Sequence, residues 1–99
     1  MEQKVIDKCN ELTANQDLFH HFIYLYERWQ DEKEYEDWND YAKAMKNAVE
    51  AKGDIKINML GATHRPFGIR FIYEHYLVKL YLKFDRNRVM FTYALRKIH

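Results

Sequence analysis

No serine occurs among the 99 residues, which excludes a serine nucleophile and the Gly-x-Ser-x-Gly elbow that presents one. The single cysteine, Cys9, has no second thiol in the chain, so no internal disulfide is available. Three glycines leave no Gly-x-Gly-x-x-Gly run and no P-loop to cradle a phosphate chain. No apolar run reaches the ~18 uncharged residues a membrane span needs. His20 and His21 are neighbours on an expected helix, where they diverge by about 100° and cannot chelate one metal as i,i+4 histidines do. No metal and no cofactor are therefore expected. No apolar segment follows Met1-Glu2-Gln3-Lys4, so the expected setting is the reducing cytoplasm, away from a membrane.

What is present is a great deal of apolar and aromatic surface. Hydrophobic residues make up 47% of the chain and aromatics 16%, too much for a disordered chain and enough for one packed core. A single domain spanning 1–99 is expected. The net charge of +1 conceals a division. Residues 1–52 hold seven Lys/Arg against twelve Asp/Glu; residues 53–99 hold nine against three. Such a dipolar molecule steers a charged partner, unless its halves simply neutralise each other within the fold.

The first half carries helical spacing. Val5, Ile6, Cys9 and Leu12 share one face of a short helix, and Asn15 is a natural cap for the next. Over residues 17–30, Leu18, Phe22, Leu25 and Trp29 form a stripe, although residues 19–26 are also rich in strand-favouring side chains. Trp38, Tyr41, Ala42, Met45 and Val49 define a third helix, with Gly53 as its left-handed terminator and the acidic run from Glu34 to Asp37 at its dipole-positive start.

After Gly53 the period becomes two. Ile55, Ile57 and Met59 alternate with polar neighbours, residues 61–66 read as a loop, and Phe67, Ile69, Phe71 and Tyr73 alternate again. Val78, Leu80, Leu82 and Phe84 lead through the Asp85-Arg86-Asn87 turn to Val89, Phe91, Tyr93 and Leu95, a hairpin. Residues 69–80 also fit helical spacing; their branched and aromatic content favours strands, with a break near Glu74-His75. The expected fold is α+β: two or three N-terminal helices (1–52) packed on a three- to four-stranded antiparallel sheet (54–98). Alternation puts Lys79, Tyr81, Lys83, Arg88, Thr92 and Arg96 on the face away from the helices. Cations with an aromatic among them suit a nucleic-acid strand, the ring stacking on a base while the charges meet phosphates; an ordinary solvated face reads the same way.

His64 and Arg65, with Arg70, Tyr93, Arg96, Lys97 and His99, supply the residue types of a metal-independent ribonuclease: a base, an acid and cations for the phosphorane. The runs Phe67-Gly68-Ile69-Arg70, Lys79-Leu80-Tyr81-Leu82-Lys83-Phe84-Asp85, Val89-Met90-Phe91 and Ala94-Leu95-Arg96-Lys97 resemble the C-terminal sheet of RelE/HigB-type toxins over roughly residues 60–99. That resemblance implies a messenger-RNA endonuclease with Arg70, Tyr93, Arg96 and Lys97 at its site, His64 and His99 as additions, and an antitoxin partner. The leading expectation is different: a small, non-enzymatic, bacterial or phage-borne module that inhibits a protein partner. Eight tyrosines and two tryptophans exceed what so small a core needs, and Tyr24, Tyr26, Tyr35 and Trp38 are the candidate interface. RNA is the alternative partner. A homodimer through the edge of the last strand is the third.

Overall fold

A computed structural model describes residues 2–31 and 38–98. Three helices precede a four-stranded antiparallel sheet: α1 (Glu2–Ala14), α2 (Gln16–Asp31), α3 (Trp38–Gly53), then β1 (Asn58–Thr63), β2 (Phe67–Tyr73), β3 (Tyr76–Asp85) and β4 (Arg88–Lys97). Strand order equals chain order, β1-β2-β3-β4, so the sheet is a meander.

The stripes read from the sequence are the faces that the helices bury. Val5, Cys9 and Leu12 lie inward on α1, Leu18, Phe22 and Leu25 on α2, and Tyr41, Met45 and Val49 on α3. They meet Phe67, Ile69 and Phe71 of β2 and Val78, Leu80 and Leu82 of β3 in one cluster. Residues 19–26 are helix. Asn15 caps α2, its Oδ1 accepting the Leu18 amide at 3.0 Å. Burial pushes the Cys9 thiol up to about 11, so at neutral pH it is protonated and packs as a small apolar group. The acidic run at residues 34–37 lies outside the described residues.

Three local expectations need correction. Gly53 does not take the left-handed conformation; Asp54 does, at φ 54°. Gly53 is instead a close-approach residue, since a Cβ there would stand 2.5 Å from Leu12 Cδ2 of α1. Ile55 and Ile57 precede the first strand rather than forming it. Gly61–Thr63, expected as loop, is strand: a bulge between Met59 and Gly61 leaves Leu60 outside the ladder and 51% exposed, after which pairing with β2 resumes. Only residues 64–66 turn, clipped by Thr63 Oγ1 donating to the Pro66 carbonyl at 2.6 Å.

Residues 69–80 are two strands and not one helix. Glu74 and His75 both have positive φ, 51° and 67°, which is the geometry of a two-residue hairpin turn whose twist matches its strands. Lys4 of α1 reaches this turn, 3.0 Å from Glu74. The second hairpin turns at Arg86 and Asn87, with Arg86 at φ 52°.

Glu50 ties the end of α3 to the sheet. Its carboxylate accepts the Ile57 amide at 3.0 Å and pairs with Lys46 at 3.0 Å. The Ile57 hydrogen bond, then Lys46, hold its carboxyl below the ordinary 4.5. A lowered folded-state value means that the stabilisation is complete above the unfolded value and disappears as pH falls through the folded one. Glu50→Gln should therefore flatten the stability profile on the acid side of about pH 4.5, read by thermal melts from pH 7 to pH 3. A profile identical to that of the parent protein would remove Glu50 from this role.

Candidate functional site

The sheet has two unlike faces, and the register assigns the residues of β2, β3 and β4 to them. On the helix side by parity are the odd-numbered residues of β2 from Phe67 to Tyr73, the even-numbered residues of β3 from Tyr76 to Phe84, and the odd-numbered residues of β4 from Val89 to Lys97, of which Phe67 to Tyr73, Tyr76 to Leu82 and Val89 to Leu95 pack in or against the core. The opposite face is open: among the described residues, no helix crosses it. Arg70 is paired with Lys79, Gly68 with Tyr81, Tyr81 with Thr92, Leu77 with Arg96 and Asp85 with Arg88. Lys79, Tyr81, Lys83, Arg88, Thr92 and Arg96 thus share one face, as alternation in the sequence requires, and Arg70 joins them.

Five cations therefore stand on this face: Arg70, Lys79, Lys83, Arg88 and Arg96. Asp85, at the far end of β3, is the one acidic residue among the strand positions facing the same way. Lys79 Nζ lies 5.2 Å from the centre of the Tyr81 ring, within cation–π range. Arg70, Lys79 and Arg96 surround a shallow depression of about 200 Å³ floored by Leu77 and Ala94. Cations gathered on one open surface give it a positive potential.

A second concavity, of about 510 Å³, opens where β2 falls short of β3. The β2–β3 ladder ends at Phe67 opposite Leu82, whereas β3 continues alongside β4 to Asp85. Into the resulting notch come Tyr26, Trp29 and Gln30 from the last turns of α2, His64, Arg65 and Pro66 from the β1–β2 turn, and Lys79, Tyr81, Lys83 and Phe84 from β3. Ring contacts fix its inner wall. Tyr26 lies 4.5 Å from Phe84 and 5.6 Å from Phe67, and Trp29 lies 5.6 Å from Phe67 and 5.5 Å from Trp38. Trp38 in turn stacks on His64 at 3.8 Å, with the rings 21° from parallel. The short stack anchors the β1–β2 turn to the start of α3.

The chain matches no protein-family model, no curated protein and no solved structure.

The candidate ribonuclease residues do not converge. Arg70 and Arg96 face the open side, while Tyr93 and Lys97 have the opposite parity. The Tyr93 hydroxyl donates to Asn10 Oδ1 of α1 at 2.8 Å, a helix–sheet tie. His64 sits at the notch with its ring on Trp38, and His99 lies outside the described residues. Of the candidate protein-interface residues, Tyr26 and Trp38 pack against the core as parts of the aromatic wall. Tyr24 is 54% exposed, with the Arg28 guanidinium 5.7 Å from its ring centre. Tyr35 lies outside the described residues. The sequence reading missed the notch itself, because its walls come from three segments far apart in the chain.

Proposed function

We propose that the chain is a non-enzymatic binding module that holds single-stranded RNA on the open face of its sheet. The observation carrying this reading is the open face itself: five cations with Tyr81 among them, one carboxylate among its strand positions, and, among the described residues, no helix over it. Cations meet phosphates without regard to sequence, and the half-buried Tyr81 ring on this face offers a platform to any base. The aromatic excess that favours a protein interface in the sequence is largely taken up elsewhere, since Tyr26, Trp29, Trp38, Tyr73 and Tyr93 all pack against the core. The separation of Arg70 and Arg96 from Tyr93 and Lys97 supports binding without cleavage, because general acid–base chemistry needs its groups within reach of one phosphate.

The test is a titration of a labelled 12-nucleotide oligouridine over a range of salt concentrations. Binding should weaken linearly in log–log form, with each phosphate contact adding about −0.7 to the slope. The triple variant Arg70→Glu, Lys83→Glu, Arg96→Glu should lose on the order of 100-fold in affinity at low salt and shed about 2 from the slope. Its melting temperature should stay close to the parent value, as these side chains are exposed. The RNA should be recovered intact. Equal binding by the variant, or no binding by the parent protein at low salt, would overturn the reading. In the second case the alternative is a module that inhibits a protein partner, which the exposure of Tyr24 favours.

A further inference from the structure

We infer that the notch between α2, the β1–β2 turn and the end of β3 is a pocket for one unstacked nucleobase, its flanking phosphates held by Lys79, Lys83 and Arg65. This rests on the RNA-binding reading above and deepens it. At about 510 Å³ the notch falls within the range of small-ligand pockets. Its walls combine two chemistries that a nucleotide also combines. Tyr26, Trp29, Tyr81 and Phe84 offer ring faces and edges, while Lys79, Lys83 and Arg65 bring positive charge to the rim. No carboxylate lines it among the described residues. An acidic peptide would satisfy the cations but leave the ring walls uncovered.

Placement supports the same occupant. Lys79, Tyr81 and Lys83 belong both to this notch and to the open sheet face. A strand lying across the face reaches the notch without changing direction. There β2 stops, with no residue opposite Lys83, and a base that has lost its stacking neighbour finds aromatic walls in its place. Single-stranded RNA is recognised in this way, through bases splayed out and stacked on side chains.

The experiment compares the 12-nucleotide oligouridine with an abasic 12-mer of identical backbone, both against the intact chain. Base stacking should make the oligouridine bind about ten-fold more tightly or better. Phe84→Ala should reduce that preference, since Phe84 lines the notch and lies on the opposite side of the sheet from the open face. Lys83→Ala should weaken both strands by the same factor. An oligonucleotide carrying one photoreactive uridine should crosslink to Trp29, Tyr26 or Tyr81 as mapped by mass spectrometry. Equal affinity of the parent protein for the two strands would overturn the pocket and the Tyr81 platform, leaving phosphate binding by the cations of the sheet face. Failure of both strands to bind would overturn the two together. Tighter binding of a glutamate-rich, phenylalanine-containing peptide than of either strand would reassign the notch to a protein ligand.

Discussion

Gly68→Ala is expected to cause one of the largest losses of stability of any single methyl addition in this protein. Gly68 lies in the middle of the sheet, on the open face, paired with Tyr81. A Cβ placed on it would collide with the backbone carbonyl oxygen of Leu80 and stand 2.6 Å from Tyr81 Cα. Neither atom belongs to a side chain that can rotate away. The β2–β3 ladder would have to part locally, and adjacent register pairs such as Phe67 with Leu82 and Ile69 with Leu80 carry core residues that would move with it. A cost of about 3 kcal/mol or more is expected, at the upper end of overpacking effects. For a chain of this size each kcal/mol lowers the melting temperature by about 4–8 °C. Thermal melts followed by far-ultraviolet circular dichroism measure it. Thr92→Ala, which alters the residue opposite Tyr81 on the other side, is the control and should change stability by no more than about 0.5 kcal/mol. If both variants melt together with the parent protein, the close approach at Gly68 does not constrain the sheet.

Phe67→Ala should be comparably severe for the opposite reason, since it removes matter where Gly68→Ala adds it. Phe67 is 1% exposed and opens β2. Its ring lies 5.6 Å from Tyr26, 5.6 Å from Trp29 and 5.9 Å from Trp38, so it joins two helices to the sheet. Truncating a buried phenylalanine costs about 3–5 kcal/mol, transfer and cavity together. Against a total of roughly 5–15 kcal/mol for a small domain, that is a large share. Urea unfolding should show a lower midpoint, and Phe67→Leu should recover much of the loss by refilling the space. A midpoint shift of Phe67→Ala no greater than that of Thr92→Ala would mean that the cluster closes without its central ring.

The two layers were legible because their periods differ. Leu18, Phe22, Leu25 and Trp29 keep helical spacing for three turns, which outweighs the strand propensity of the run Phe22 to Tyr26. Residues 69–80 fit both periods, and the turn at Glu74 and His75 decides between them. The sequence signal there is weak, because neither residue is glycine or asparagine. Gly61 reads as loop because glycine so often marks one; here it follows a bulge and the strand continues. Gly53 shows the same ambiguity. Glycine admits positive φ and also close contact, and only the proximity of Leu12 separates the two.

The open basic face was legible from alternation alone. Alternation also separates Tyr93 from Arg96, since they are three residues apart in one unbroken strand. Grouping them as a site follows from residue type and family resemblance, and strand parity opposes it. The notch was not legible. Trp29, His64 and Lys83 lie on an α-helix, a turn and a strand, and nothing in their spacing brings them together. The one local hint is the aromatic excess, which does not say where the rings meet.

The two tryptophans of the chain, Trp29 and Trp38, stand 5.5 Å apart at this one corner. Intrinsic indole emission is therefore a local gauge of that corner. Dichroism at 222 nm, by contrast, averages over the whole backbone. If the corner frays before the remainder melts, the two optical signals will part company along a denaturant series, and their separation will measure how much looser the corner is than the rest of the molecule.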